Sequence, residues 1–156
     1  MSEIRAEQKI TPFLMFKEGG EAAITYYVSL FRNSKIHSMS SNGSALMHAS
    51  FELEGQRFLA MDGGPHFRFE QGFSLFVDCR TQEEVDRLWE ELSEGGEKEQ
   101  CGWVKDRWGI SWQVVPSILG KLLGDKDPAK AKRVMDAMLK MRKLIIKELQ
   151  YAYDGK

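Results

Sequence analysis

The sequence predicts an α+β protein made of two βαβββ modules followed by a C-terminal helical extension. Three observations carry this prediction. Short apolar stretches alternate with polar residues as in half-buried strands, two segments repeat apolar residues at helical spacing, and the pattern of the first half restarts in the second. Sliding the chain by 62 residues sets Phe13 on Leu75, Met15 on Val77, Glu21 on Glu83, Ala23 on Val85, Tyr27 on Trp89 and Leu30 on Leu92. Each copy is too small to bury the face of its own sheet alone, so it must pack on its twin or on another chain.

In the first module, Ile10 to Phe16 is apolar and aromatic and reads as a strand that Gly19-Gly20 breaks. Ala22, Ala23, Tyr26, Tyr27, Leu30 and Phe31 then recur at helical spacing. Three strand candidates follow: Ile36 to Ser40, Leu46 to Glu54 and Gln56 to Asp62. In the second of these, Ala49, Phe51 and Leu53 alternate with Ser50, Glu52 and Glu54, and Glu54-Gly55 supplies a tight turn into the third. Gly63-Gly64-Pro65 ends the run.

The second module opens with a strand from Phe73 to Cys79. Thr81 with Glu84 three residues later forms a capping box, and Val85, Leu88, Trp89 and Leu92 give the apolar stripe of a helix. After Gly95-Gly96, Gln100 to Val104 and Ile110 to Val115 are extended pieces separated by Lys105-Asp106-Arg107. The extension begins at Asp127-Pro128, an N-cap followed by a residue suited to the first helical position. Ala131, Val134, Met135, Met138 and Leu139 form one face of that helix, a packing stripe and not a cofactor box. Leu144, Ile145, Ile146 and Leu149 continue as a second or prolonged helix that covers sheet or dimer surface.

The 156 residues suit a single domain over 1–156, with module one at about 8–65, module two at about 70–118 and the extension at about 127–156. A composition of 42% hydrophobic and 29% charged residues excludes a disordered chain. Unbroken apolar runs are no longer than Pro12 to Phe16, which excludes a membrane-spanning helix and a secretory signal core and predicts a cytoplasmic protein. Two cysteines do not make a disulfide framework. The net charge of −1 attracts no polyanion, but the charge is uneven. Residues 1–119 hold 12 basic and 18 acidic side chains, whereas residues 120–156 hold 10 and 5, so the extension complements the body or its mate. With Tyr151 and Tyr153 its only aromatics and no recognition motif, it is not expected to bind nucleic acid.

Specific motifs narrow the reading. Ile10 to Phe16 (ITPFLMF), Tyr27 to Phe31 (YVSLF), Gln100 to Val104 (QCGWV), Asp106 to Pro116 (DRWGISWQVVP) and Ala137 to Met141 (AMLKM) resemble the PhnB-like family. That family is often labelled 3-demethylubiquinone-9 3-methyltransferase-like and falls within the vicinal oxygen chelate superfamily of glyoxalases, extradiol dioxygenases and bleomycin-resistance proteins. The resemblance covers nearly the whole chain. It implies two βαβββ modules that each curl a mixed sheet into a half-open trough, commonly assembled as a homodimer with a cavity in the trough.

In metal-using relatives of that superfamily, ligands come from the first and last strand of each module. Mapped here, those positions fall at Thr11 or Pro12, at Phe73 or Ser74, at about Ala60 and at Gln113. None is His, Asp or Glu, and Leu59, Met61, Trp112 and Val114 beside them are no better, so no catalytic metal is expected. His37, His48 and His66 lack ligand spacing, although His48 starts a strand that looks toward the trough. Cys101 lies among Glu97, Glu99, Asp106, Lys98 and Lys105, a mixed field that favours a structural thiol, as for Cys79. Gly19-Gly20 lacks the spacing of a dinucleotide loop, and the βαβββ repeat is the wrong architecture for it, so no nucleotide-type cofactor is expected.

The positive signal is aromatic. Trp103, Trp108 and Trp112 surround the last strand, with Phe73 and Phe76 at the strand that opens module two. Strand alternation sets Ser111 and Gln113 opposite Ile110 and Trp112. The expected ligand-binding residues are therefore Phe13, Phe73, Ser111, Gln113 and His48, and the expected function is metal-free binding of a small organic molecule by a homodimer. Three alternatives remain: a metal-dependent lyase, isomerase or dioxygenase in which His48 and Glu52 converge, a purely structural interaction domain, and, disfavoured, the methyltransferase of the family label.

Overall fold

A computed structural model describes residues 8–156. Two compact units divide the chain, the first ending at Phe69 and the second running from Glu70 to Lys156. The first contains β1 (Phe13–Phe16), α1 (Gly20–Leu30), β2 (Lys35–Asn42), β3 (Ala45–Leu53) and β4 (Gln56–Asp62). Its sheet has the order β1-β4-β3-β2, with β1 and β4 parallel and the other pairs antiparallel. Ala23, Ile24, Tyr27 and Leu30 of α1 are buried, as are Leu14, Phe16, Ala49, Phe51, Phe58 and Ala60 of the strands. These residues form the core between helix and sheet. Glu54 and Gly55 both have positive φ, 49° and 84°, which matches the twist of a two-residue hairpin and sets Leu53 opposite Gln56.

A carboxylate from the end of β4 ties this unit together. Asp62 Oδ1 accepts the Gly20 N–H at 2.9 Å and Oδ2 accepts the Leu46 N–H at 2.9 Å. The N-cap of α1, Gly19, is left-handed and offers no side-chain acceptor, so Asp62 supplies the negative charge at the helix N-terminus. A Cβ on Gly20 would lie 2.7 Å from Asp62 Oδ1 and 2.8 Å from Leu46 Cδ2, which explains the second glycine of the pair.

The second unit repeats the topology. Its strands β5 (Ser74–Cys79), β6 (Glu97–Lys98), β7 (Trp103–Lys105) and β8 (Ser111–Pro116) lie in the order β5-β8-β7-β6, and α2 (Gln82–Ser93) joins β5 to β6. Thr81 Oγ1 accepts the Glu84 N–H at 3.2 Å while Glu84 Oε2 accepts the Arg80 N–H at 3.0 Å, the capping box that the sequence predicts, displaced by one donor. The 62-residue slide holds in the helices, where Ala23 and Val85, Tyr27 and Trp89, and Leu30 and Leu92 are all buried. In the opening strands it is one residue out. Leu14 and Phe16 are buried, whereas Phe76 is 59% exposed and Cys79 is buried, so Phe16 matches Cys79 and Phe13 matches Phe76. Three residues separate β1 from α1 and two separate β5 from α2, and that difference accounts for the offset.

The turn between β7 and β8 is built on Asp106, which is 4% exposed. Its Oδ1 accepts the N–H groups of Trp108 and Ile110 at 2.9 and 3.0 Å, and its Oδ2 accepts Trp112 Nε1 at 2.8 Å. This burial is tolerable because donors face both carboxylate oxygens.

Three helices close the chain: α3 (Ile118–Leu123), α4 (Pro128–Leu139) and α5 (Ile146–Asp154). The predicted start at Asp127-Pro128 is observed, with Asp127 Oδ1 accepting the Ala129 N–H at 2.9 Å. Helix α3 has no counterpart among the elements that the sequence predicts. Val115, Leu119, Leu122, Val134, Met141, Leu144 and Leu149 make the extension's own core on the end of β8. Its link to the module is largely backbone. The Cys101 and Gly102 N–H groups donate to Met141 and Arg142 carbonyls at 2.9 and 2.8 Å, Arg142 Nη2 donates to the Lys98 carbonyl, and the Gln82 amide holds Leu144 O and Ile146 N–H at 3.1 and 2.7 Å.

Two outcomes follow from these contacts. Asp106→Ala leaves buried N–H groups without an acceptor and is expected to cost about 3 kcal/mol or more, read by urea denaturation, with Asp106→Asn costing less. Tyr153 Oη donates to Asp125 Oδ2 at 2.7 Å. The Asp127 N–H and then Tyr153 hold the Asp125 carboxyl below the usual range, and Asp125 pushes the Tyr153 phenol up. The lowered carboxyl stabilises α4 and α5 above the ordinary carboxylate pKa and stops doing so as pH falls through its folded value. The raised phenol stabilises them below about pH 10 and stops doing so as pH rises through its own folded value. Hydrogen exchange is expected to show the strongest protection of α4 and α5 between about pH 5 and 9.

Candidate functional site

Each sheet has its helix on one face, and strand register identifies what lies on the other. In the second unit Phe76 is aligned with Gln113 and Gln113 with Trp103. Beyond Glu97↔Lys105 and Lys98↔Val104, the Glu99 N–H donates to the Trp103 carbonyl at 2.8 Å and continues the same pairing. Phe76, Gln113, Trp103 and Glu99 therefore form one row across the sheet, on the face away from α2. The next row holds Ser74, Ser111 and Lys105. Gln113 Nε2 donates to Ser74 Oγ at 3.0 Å, which fixes the amide and makes its carbonyl oxygen the acceptor. Ser111 Oγ is buried with no hydrogen-bond partner, as is Glu99 Oε1.

In the first unit the matching row is Phe13, Leu59, Ser50 and Ser38. Phe13 is 50% exposed. His48 is paired with Ser40, one row further along on the same face, and its Nδ1 is buried without a partner. It reaches that face because a bulge at Met47 lets Leu46 and Ala49 both turn to the core.

The five predicted residues thus divide between the units: Phe13 and His48 share a face of the first sheet, and Ser111 and Gln113 share a face of the second. Phe73 lies just before β5, 48% exposed, and is not in the strand pairing. The aromatic ring aligned with Gln113 belongs to Phe76. Glu99 was not among the expected residues, and its position became visible only through the pairing of the short β6, which the sequence does not mark as a strand.

The donor set does not fit a divalent metal. Among the described residues no three His, Cys, Asp or Glu side chains gather in a group able to hold one. Ala60 is 1% exposed on the α1 side, so the register moves that candidate ligand position to Leu59 or Met61. Ser74 and Gln113 are neutral donors bonded to each other. His48 and Glu52 do not converge. Glu52 Oε1 instead meets His37 Nε2 at 2.7 Å. The α1 N-terminus is likewise filled, since Asp62 occupies the position a cofactor anion would need.

Cys101 Sγ donates to the Met138 carbonyl at 3.6 Å, a contact within the extension's docking turn. Cys79 is fully buried, and burial, reinforced by Glu84 and Asp78, pushes its thiol up to about 12. A thiol that remains protonated is not a nucleophile. Native protein at pH 8 is expected to leave Cys79 unmodified by a disulfide reagent, and denatured protein to react at both cysteines, as read by peptide mass.

The family model of 3-demethylubiquinone-9 3-methyltransferase matches residues 8–115. The motif at 137–141 and the helices around it lie beyond that match. Among solved structures, a PhnB protein from Bacillus cereus is 35% identical, with 70% of this chain and 99% of that one covered at a TM-score of 0.66. A protein from Pseudomonas aeruginosa is 23% identical, with 70% and 98% covered at a TM-score of 0.56, and shares the fold. No curated protein is significantly similar to the chain. No helix among the described residues is long and apolar enough to cross a membrane.

Proposed function

The chain belongs to the 3-demethylubiquinone-9 3-methyltransferase family, the PhnB-like proteins, and from that membership we propose that it binds a small, partly apolar organic molecule without a metal ion. The observation that carries this reading is the row Phe76, Gln113 and Trp103. Two aromatic side chains flank one amide whose donor is already engaged with Ser74, so the row offers apolar contact at both sides of a single oriented acceptor. Ser111, with an unpartnered buried hydroxyl in the adjacent row, is a second polar contact. Phe13 and His48 take the corresponding part in the first module. The half-exposed Phe13 and Phe76 also support assembly as a homodimer, because apolar rings in these positions are stabilised by a second copy or a ligand.

Methyl transfer has less support. The glycine turn that a nucleotide-type cofactor would use is closed by Asp62, and neither sheet is the open, mostly parallel, doubly wound kind that carries that turn.

Metal analysis of protein purified without chelator, combined with ligand-observed NMR using benzyl alcohol as probe, tests the proposal. The expected results are substoichiometric metal, binding unaffected by chelator, and about tenfold weaker binding, roughly 1.4 kcal/mol, in Gln113→Leu and in Phe76→Ala. A stoichiometric divalent ion whose removal abolishes binding overturns it.

A further inference from the structure

We propose that the same face of the second sheet recognises an organic cation, an ammonium or guanidinium group on a flat apolar body, with Glu99 as counter-charge and Trp103 as the wall beside it. This rests on the small-molecule reading above and assigns the ligand its charge.

The geometry begins with the turn from Glu99 to Trp103. Besides the Glu99 N–H bond to the Trp103 carbonyl, the Trp103 N–H donates to the Gln100 carbonyl at 3.1 Å, and Cys101 and Gly102 close the loop with φ of 57° and 83°. Directly opposed residues of an antiparallel pair present their side chains on one face, so carboxylate and indole are neighbours. Gln71, Glu99, Gln100 and Trp103 line a cavity of about 330 Å³, within the range of small-ligand sites.

Charge decides what suits this cavity. Gln71 Nε2 donates to Glu99 Oε2 at 2.7 Å and holds the carboxylate, while Oε1 is buried and has no partner. An ionised oxygen away from water without a donor is costly, and a ligand N–H removes that cost. Lys98, one residue away, does not supply the donor, since its Nζ lies 2.9 Å from both oxygens of Glu90. An indole lining the same cavity as the carboxylate offers a π-system that attracts a cation and not an anion. The row then continues to Gln113 and Phe76, with strands about 4.8 Å apart, so the apolar body of the ligand lies along the sheet toward those residues.

Benzylammonium, benzyl alcohol and benzoate share a ring and differ in charge, and titration of each by ligand-observed NMR tests the site. Benzylammonium is expected to bind at least tenfold more tightly than the other two, with a preference that shrinks as salt is raised. Glu99→Gln preserves an acceptor for Gln71 and is expected to erase the preference, bringing benzylammonium down to the affinity of benzyl alcohol. Trp103→Leu is expected to weaken all three. Equal affinities across the series, or a preference that survives Glu99→Gln, overturns the cation site. If benzyl alcohol still binds in a manner dependent on Gln113 and Phe76, only this inference fails. If no member of the series binds, the small-molecule reading fails with it.

Discussion

Each four-stranded sheet in this protein has one helix to cover it, and the alternation of side chains along a strand does the rest. One set of residues enters the core, and the other faces away from it. In the second unit this parity sends Trp112 and Val114 to the core with Val104, while Gln113 faces away with Trp103 and Phe76. A slip of one residue in β8 would exchange the two sets, burying an amide and exposing an indole. The candidate site therefore depends on whatever pins the register.

Hydrogen-bonded carboxylates at strand ends supply much of that pinning. Asp106 binds the β7–β8 turn to the Trp112 indole, and Asp62 joins the start of α1 to the start of β3. The same fact changes the meaning of the family-like motifs. In DRWGISWQVVP, Asp106 and Trp112 hold a turn and a core, and Ser111 and Gln113 are left on the face away from α2. In QCGWV, Cys101 and Gly102 present backbone donors to the extension, and Trp103 stands in the outward row. Motifs that identify the family are thus mostly architectural, with single residues available for chemistry.

The extension shows a different division. Its apolar residues form a core with Val115, but its attachment to the module is made by backbone groups of Cys101 and Gly102 and by the Gln82 amide. Gln82 also donates to Asp86, which Lys143 approaches at 3.0 Å, so one face of α2 joins the segment ahead of α5 through a small polar network. Hydrophobic periodicity reveals the first kind of contact and is silent about the second.

Read alone, the sequence determined the two-module plan, the capping box at Thr81, the hairpin at Glu54-Gly55 and the opposition of Gln113 to Trp112. Each of these is local: it depends on residues a few positions apart and on fixed periods of 2 or 3.6. Tertiary structure alone decided that Phe13 corresponds to Phe76 and not to Leu75, that Ala60 faces the core, that His37 and not His48 meets Glu52, and that Glu99 stands beside Trp103. Loop lengths, bulges and the pairing of a two-residue strand set those relations. They are properties of segments brought together by folding, and no spacing within a single segment encodes them.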